Sequence, residues 1–265
     1  MLEYFILTTI GIFIGVLVGM FGIGGGLIIV PVITYTLIGF HDYSFNDALI
    51  IGISTSLASI IFSGIVSTIS HHSNQNIDWY IIRKFIYGVV IGSSLAGLYL
   101  LKLPIEFIRY AFILYVFFAA YKILLPRKAS QKKIPIHFNY SNLIGLCFSS
   151  LSGLIGIGGG TLFVPYLASK GISMKLSIGI ASCLGLFIGL FSSITVFLSW
   201  NLASTSNQIF MLGPIYTPAI IFLTLPSLIF IKLSADWLQL ISDKNIRRGF
   251  ACLLIFIGFM MILKN

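Results

Sequence analysis

The chain has 265 residues, of which 58% are Ala, Val, Ile, Leu, Met, Phe, Trp, Tyr or Cys and only 9% are charged, and its 23 Phe outnumber the seven carboxylates threefold. Soluble domains are roughly half apolar and about 25% charged; a soluble fold of this length could not hide the surplus, and disorder is excluded for the same reason. The net charge of +9 comes from Lys and Arg set between apolar runs, the pattern of membrane loops rather than of one nucleic-acid-binding face.

A bilayer crossing takes about 20 mainly apolar residues. The first run, 3–21, has no basic residue ahead of it and no A-x-A-like site behind it, so it reads as a retained membrane segment rather than a cleaved signal peptide. A glycine cluster follows, then a short apolar arm, 27–40, too short for an upright crossing. The next long run, 46–70, ends at His71-His72, and Asp78-Trp79-Tyr80 reads as the start of the run 80–101, with Asp78 as N-cap. After the run 104–125 comes the main hydrophilic stretch, 126–138, with Arg127, Lys128, Lys132 and Lys133. Beyond it lie 139–157, a second glycine cluster, a second short arm at 161–170, and the runs 175–199, 209–231 and 246–263. The expectation is an all-α polytopic membrane protein with about eight long helices and two half-helices. Its parts are a first repeat over 1–125, a basic cytoplasmic linker over 126–138 and a second repeat over 139–265.

The repeats are visible in the residues. Phe21 to Ile33 and Ile155 to Leu167 agree at seven of thirteen positions with an offset of 134, sharing GIGGG-x-x-x-VP. Leu49, Gly52 and Ile53 match Leu176, Gly179 and Ile180 at an offset of 127. If 3–40 forms a hairpin that returns to its own side, Lys and Arg divide 13 against 3; if it makes one broken crossing, they divide 8 against 8. Cytoplasmic loops are rich in Lys and Arg, so the hairpin is favoured. The repeats are then inverted and both termini lie outside the cytoplasm.

Irregular backbone is tolerated at membrane depth only where it lines a cavity or is buried in protein. The glycines break helices, and the arms resuming at Leu27 and Thr161 would aim first-turn N–H groups and a positive dipole end at an anion. Gly24, Gly25, Gly26 and Leu27, with Gly158, Gly159, Gly160 and Thr161, are therefore the candidate substrate contacts. The plainer alternative is that these glycines serve close helix packing. Pro31 and Pro165 are expected near the first turn of their arms. Thr55 and Ser182 are added as hydroxyl donors, though such groups often bond back to their own helix. His71 and His72 could sense pH or relay a proton at the cytoplasmic mouth; an interfacial pair is the plainer reading. Asp236-Trp237 could repeat the role of Asp78-Trp79. Cys147, Cys183 and Cys252 stand singly, with no disulfide framework or metal spacing. No Walker loop or nucleophile constellation is present, so no enzyme, cofactor or metal is expected.

The paired GIGGG-x-x-x-VP segments, with His71-His72 and Ile77-Asp78-Trp79, make the chain resemble the sulfite exporter TauE/SafE family of membrane permeases. The resemblance implies transport of small sulfur-containing anions such as sulfite or organosulfonates, often outward, through the bacterial inner membrane. The expected function is a secondary transporter working by alternating access, with the lipid bilayer and a small anion as partners. The alternatives are an anion channel or a membrane subunit scaffolding a partner enzyme.

Overall fold

The computed structural model describes residues 2–22, 24–100, 140–203 and 211–263, together with isolated helical positions between 110 and 121. In chain order they form α1 (Leu2–Phe21), α2 (Gly26–His41), α3 (Phe45–Ser73) and α4 (Trp79–Tyr99), then α5 (Ser141–Ile155), α6 (Gly160–Ser169), α7 (Met174–Ala203), α8 (Thr217–Leu240) and α9 (Asp243–Leu263). Among the described residues, α1, α3, α4, α7 and α8 are long and apolar enough to cross a membrane. The protein is an all-α polytopic membrane protein.

Local chemistry sets the starts. Ser44 caps α3, its hydroxyl accepting from the N–H of Asp47 at 3.2 Å. Asp78 caps α4 as expected, accepting from the N–H groups of Tyr80 and Ile81 at 2.9 and 3.3 Å. At 16, 15 and 10 residues, α2, α5 and α6 reach only about 24, 22 and 15 Å. None of these three crosses upright.

The structure corrects several expectations. The run 139–157 becomes a helix of 15 residues, because Gly156 ends it. The run 209–231 is not one helix: Met211–Leu212 and Ile215–Tyr216 pair antiparallel as β1 and β2. Gly213, at φ 59°, makes the turn with Pro214, and α8 starts behind Tyr216 with Pro218 in its first turn. Ile220–Thr224 of α8 is a π-helical turn. Pro31 and Pro165 lie inside α2 and α6, where each withholds an i→i−4 donor from the carbonyl of Leu27 or Thr161. Asp236 starts no helix; it sits near the end of α8, where its Oδ1 accepts from Asn74 Nδ2 at 2.9 Å. The run 104–125 and the linker 126–138 lie almost wholly outside the described residues.

At the centre, α3 and α7 pack antiparallel. Ser67 meets Ser182, while Ile60, about two turns earlier, meets Gly189. Around this pair α1 runs parallel to α8, with Gly11, Gly15 and Gly19 against Leu223, Ser227 and Ile231 in turn. In the same manner α4 runs parallel to α5, with Gly88 against Asn142 and Gly92 against Leu146. These glycine ladders let backbones touch, the means by which helices associate where burial from water gives no drive. One end of the bundle carries Glu3, His41 and Tyr216; the other carries the ends of α3 and α8 and the starts of α4, α5 and α7. Toward this second, His71 end lie Arg83, Lys84, Lys170, Lys175, Lys232, Lys244 and Arg248.

A Cβ on Gly15 would stand 2.4 Å from the Ser227 carbonyl oxygen, whereas one on Gly39 meets nothing within 4 Å. Gly15→Ala is therefore expected to destabilise the detergent-solubilised protein by about 1–3 kcal/mol. Gly39→Ala should leave it unchanged or stabilise it by roughly 0.5–1 kcal/mol. Thermal unfolding of both variants checks the contrast.

Candidate functional site between the glycine breaks

α1 and α5 stop for the same reason. Gly22 (φ 64°) and Gly156 (φ 75°) turn into the left-handed region, which a side chain disfavours. Behind α5 the turn closes as a Schellman motif, Ile157 N–H donating to Ser152 O at 2.9 Å and Gly156 N–H to Gly153 O at 3.3 Å. The breaks then diverge: Gly24 and Gly25 keep positive φ, while Gly159 is helical at −58°. Equal sequences thus carry unequal backbones. α2 and α6 resume at Gly26 and Gly160, one residue before the expected Leu27 and Thr161. No side chain caps either start, so the amides of both first turns have no competing carboxylate or hydroxyl from a cap.

The two breaks touch. A Cβ on Gly24 would lie 2.8 Å from Gly158 Cα, and one on Gly26 would lie 2.0 Å from the Gly156 oxygen. Only bare backbone fits there. Hydroxyls take up the carbonyls: Ser56 donates to Gly156 O at 2.7 Å, and Ser152 donates to Ile157 O and to Gly158 O. Thr161 Oγ1 reaches Gly158 O at 3.5 Å. Lone pairs that would repel an anion are thereby engaged, and the N–H groups become the distinctive polar feature of the junction.

A cavity adjoins the first break, lined by Val18, Gly22 and Gly24, by Ile60, Gly64 and Ser67 of α3, and by Ser182 and Gly185 of α7. Its volume of about 10 Å³ suits one water. Ser182 Oγ donates to Ile178 O and accepts from Ser67 Oγ, both at 3.0 Å. Counting residues along α3 and α7, Ser67 and Ser182 lie about 9 and 12 Å from the His71 end.

Of the predicted contacts, Gly24 and Ser182 line this cavity. Gly25 packs on Ile14 and Val18, and Gly159 packs on Ala181 and Gly185. Gly26 and Gly158 form the junction itself, followed by Gly160 and the buried Leu27 and Thr161. Thr55 is elsewhere: its hydroxyl donates to Ile51 O at 2.7 Å and accepts from Tyr216 N–H at 2.9 Å. His71 is fully buried, whereas His72 is exposed and meets Trp79 edge-on at 5.8 Å. The two histidines share no environment.

A cluster that no sequence motif marks lies at the Glu3 end. Tyr216 OH donates to buried Glu3 Oε1 at 2.5 Å, and His41 Nε2 lies 3.1 Å from that phenol and 3.3 Å from Glu3 Oε2. Burial first, then the bond to Glu3, pushes the phenol pKa up, so the OH stays a donor. Glu3 as the lone acid within an apolar run was the available signal; its partners come from distant segments.

Across the whole chain, the model of the family described as "Sulfite exporter TauE/SafE" matches residues 7–261. The chain belongs to the TauE/SafE family. Similar proteins include a probable membrane transporter protein of Haemophilus influenzae, 32% identical over 96% of each chain. Another, from Methanocaldococcus jannaschii, is 27% identical over 97% of this chain and 95% of its own. A third, from Bacillus subtilis, is 26% identical over 80% and 83%. No solved structure matches the chain. This TauE/SafE protein is a multi-pass membrane transporter rather than an enzyme.

Tyr216→Phe leaves the buried Glu3 carboxylate without its shortest donor and is expected to cost about 1–3 kcal/mol of stability. In a double-mutant cycle with Glu3→Gln, the two changes should couple by about 0.5–3 kcal/mol. Strict additivity in thermal unfolding would show that the bond contributes nothing to the seal.

Proposed function

We propose that this TauE/SafE protein carries a small sulfur-containing anion, with sulfite as the model substrate and organosulfonates as the wider class, outward across the inner membrane by alternating access. The observation that carries the reading is the meeting of two glycine breaks inside the bundle, Gly24 on Gly158 and Gly26 on Gly156. Discontinuous helices at matching places in inverted repeats are a recurring plan of secondary transporters, and half-helix N-termini there point at anionic groups. The family's description as a sulfite exporter supports the substrate class. The amides of Gly24, Gly25, Gly26 and Leu27, and of Gly158, Gly159, Gly160 and Thr161, hold the anion in the open states, with Ser182 adding a hydroxyl.

The inverted relation of 1–125 to 139–265 draws on the packing: α1 lies along α8 as α5 lies along α4, and the matching helices α3 and α7 run antiparallel. Rocking one half against the other opens the junction to either side in turn. The basic His71 end faces the cytoplasm in this reading, by the positive-inside rule, and both termini lie on the other side. An inside-negative potential of about 100 mV contributes roughly 2.3 kcal/mol per charge, or about a 50-fold gradient. An anion leaving the cytoplasm therefore needs no coupling ion.

Sulfite flux in proteoliposomes tests this directly. A Cβ on Gly25 would lie 2.8 Å from Ile14 Cγ2, and one on Gly159 2.8 Å from Ala181 O. Gly25→Val and Gly159→Val are each expected to abolish flux while the protein remains inserted. Normal flux in both variants would falsify the site.

A further inference from the structure

The cavity beside the first break is lined by Val, Ile, Gly and two serines, with no ionisable side chain among them. Ser67 and Ser182, only 1% and 4% exposed, are its polar side chains, one on each of the central helices α3 and α7. Ser182 also faces the break, since a Cβ on Gly22 would lie 2.8 Å from its Oγ. The space suits a single water-sized group. Which group fits is decided by what the two hydroxyls offer it.

A serine hydroxyl has one proton to give and two lone pairs that accept. Ser182 Oγ lies 3.0 Å from Ile178 O, which can only accept, so the Ser182 proton goes there. The 3.0 Å contact between the two serines then takes the Ser67 proton. Both protons are committed within the protein. Among the described residues nothing donates to Ser67 Oγ, so its lone pairs are what this side chain presents to the cavity.

A group entering this space binds best when it brings a proton of its own. Sulfite exists as a dianion, which only accepts, and as hydrogensulfite, a monoanion that carries a proton and can donate it. The dianion would set lone pair against lone pair at Ser67, and turning the Ser67 proton toward it would break the bond to Ser182. Charge gives a second, independent reason. Taking an ion out of water is expensive, and steeply more so for two charges than for one. Neither Lys nor Arg lines the cavity, and break amides, which carry only partial charge, match one negative charge better than two.

We infer that the transported species is the protonated monoanion, hydrogensulfite, its own proton donated to Ser67 Oγ and its bare oxygens held by the amides of the glycine breaks. This deepens the transport reading and rests on it. Ser67 joins the binding set as the acceptor that selects the protonation state. The lining offers no proton relay, so the proton crosses on the anion. An organosulfonate shares the single charge and meets the same amides, without the bond to Ser67.

The test is the membrane potential at which net sulfite flux through the wild-type protein reverses in proteoliposomes. A tenfold sulfite gradient is set at equal pH on both faces, and the flux of protein-free vesicles is subtracted. Reversal near about 60 mV marks one charge per sulfite, and near about 30 mV marks two. The first is expected; the second would overturn the inference while leaving transport intact. In Ser67→Ala the entering proton has no acceptor, so KM for sulfite should rise about fivefold or more, with the melting temperature in detergent little changed. An unchanged KM would also overturn the inference. If this variant fails to fold, the wild-type reversal potential decides alone. Wild-type vesicles that move no sulfite would remove the transport reading itself, an outcome distinct from the others.

Discussion

A peptide group in hydrocarbon has no water to bond, and this one constraint organises the whole molecule. Backbone leaves the helical pattern at membrane depth only where other protein groups cover it. Here the two departures cover each other. Gly24 rests on Gly158 and Gly26 on Gly156, and Ser56 and Ser152 donate to the carbonyls that the second break frees. The glycines allow both the left-handed turn and the close approach, and any side chain at the junction would separate the breaks. A polar, side-chain-poor spot is thereby kept near the middle of an apolar bundle without a buried charge.

The same constraint separates the ends. At the Glu3 end a carboxylate, a phenol and a histidine complete one another's hydrogen bonds and lock α1, α2 and the β1–β2 hairpin together. At the basic end His71, Asn76 and Ser177 are buried, with the His71 ring against the Gly19 carbonyl. The cavity lies nearer this second end.

Much of this was legible in the residues. The doubled GIGGG-x-x-x-VP located both breaks, and Asp78 announced the start of α4 through its side-chain acceptor. Apolar run length found the long helices, since bilayer thickness demands it. Contacts between distant segments were not legible. Nothing local tells Thr55 that its hydroxyl will meet the Tyr216 amide, or Glu3 that a phenol more than 200 residues away will bond it. The β1–β2 hairpin was missed because Met211, Leu212, Ile215 and Tyr216 are apolar enough to pass for the head of a helix. Periodicity over so few residues cannot separate the two, and Gly213-Pro214 was the overlooked cue. The two breaks differ in φ for a related reason: identical glycines permit several conformations, and their neighbours select among them.

The most direct measurement is a crystal structure with selenite, whose anomalous scattering marks an oxyanion of sulfite's shape. A peak within hydrogen-bond distance of the amides of Gly24 to Leu27 or of Gly158 to Thr161 is the predicted result. Selenite absent from that junction in every captured conformation, with the two glycine turns packed dry against each other, would contradict it.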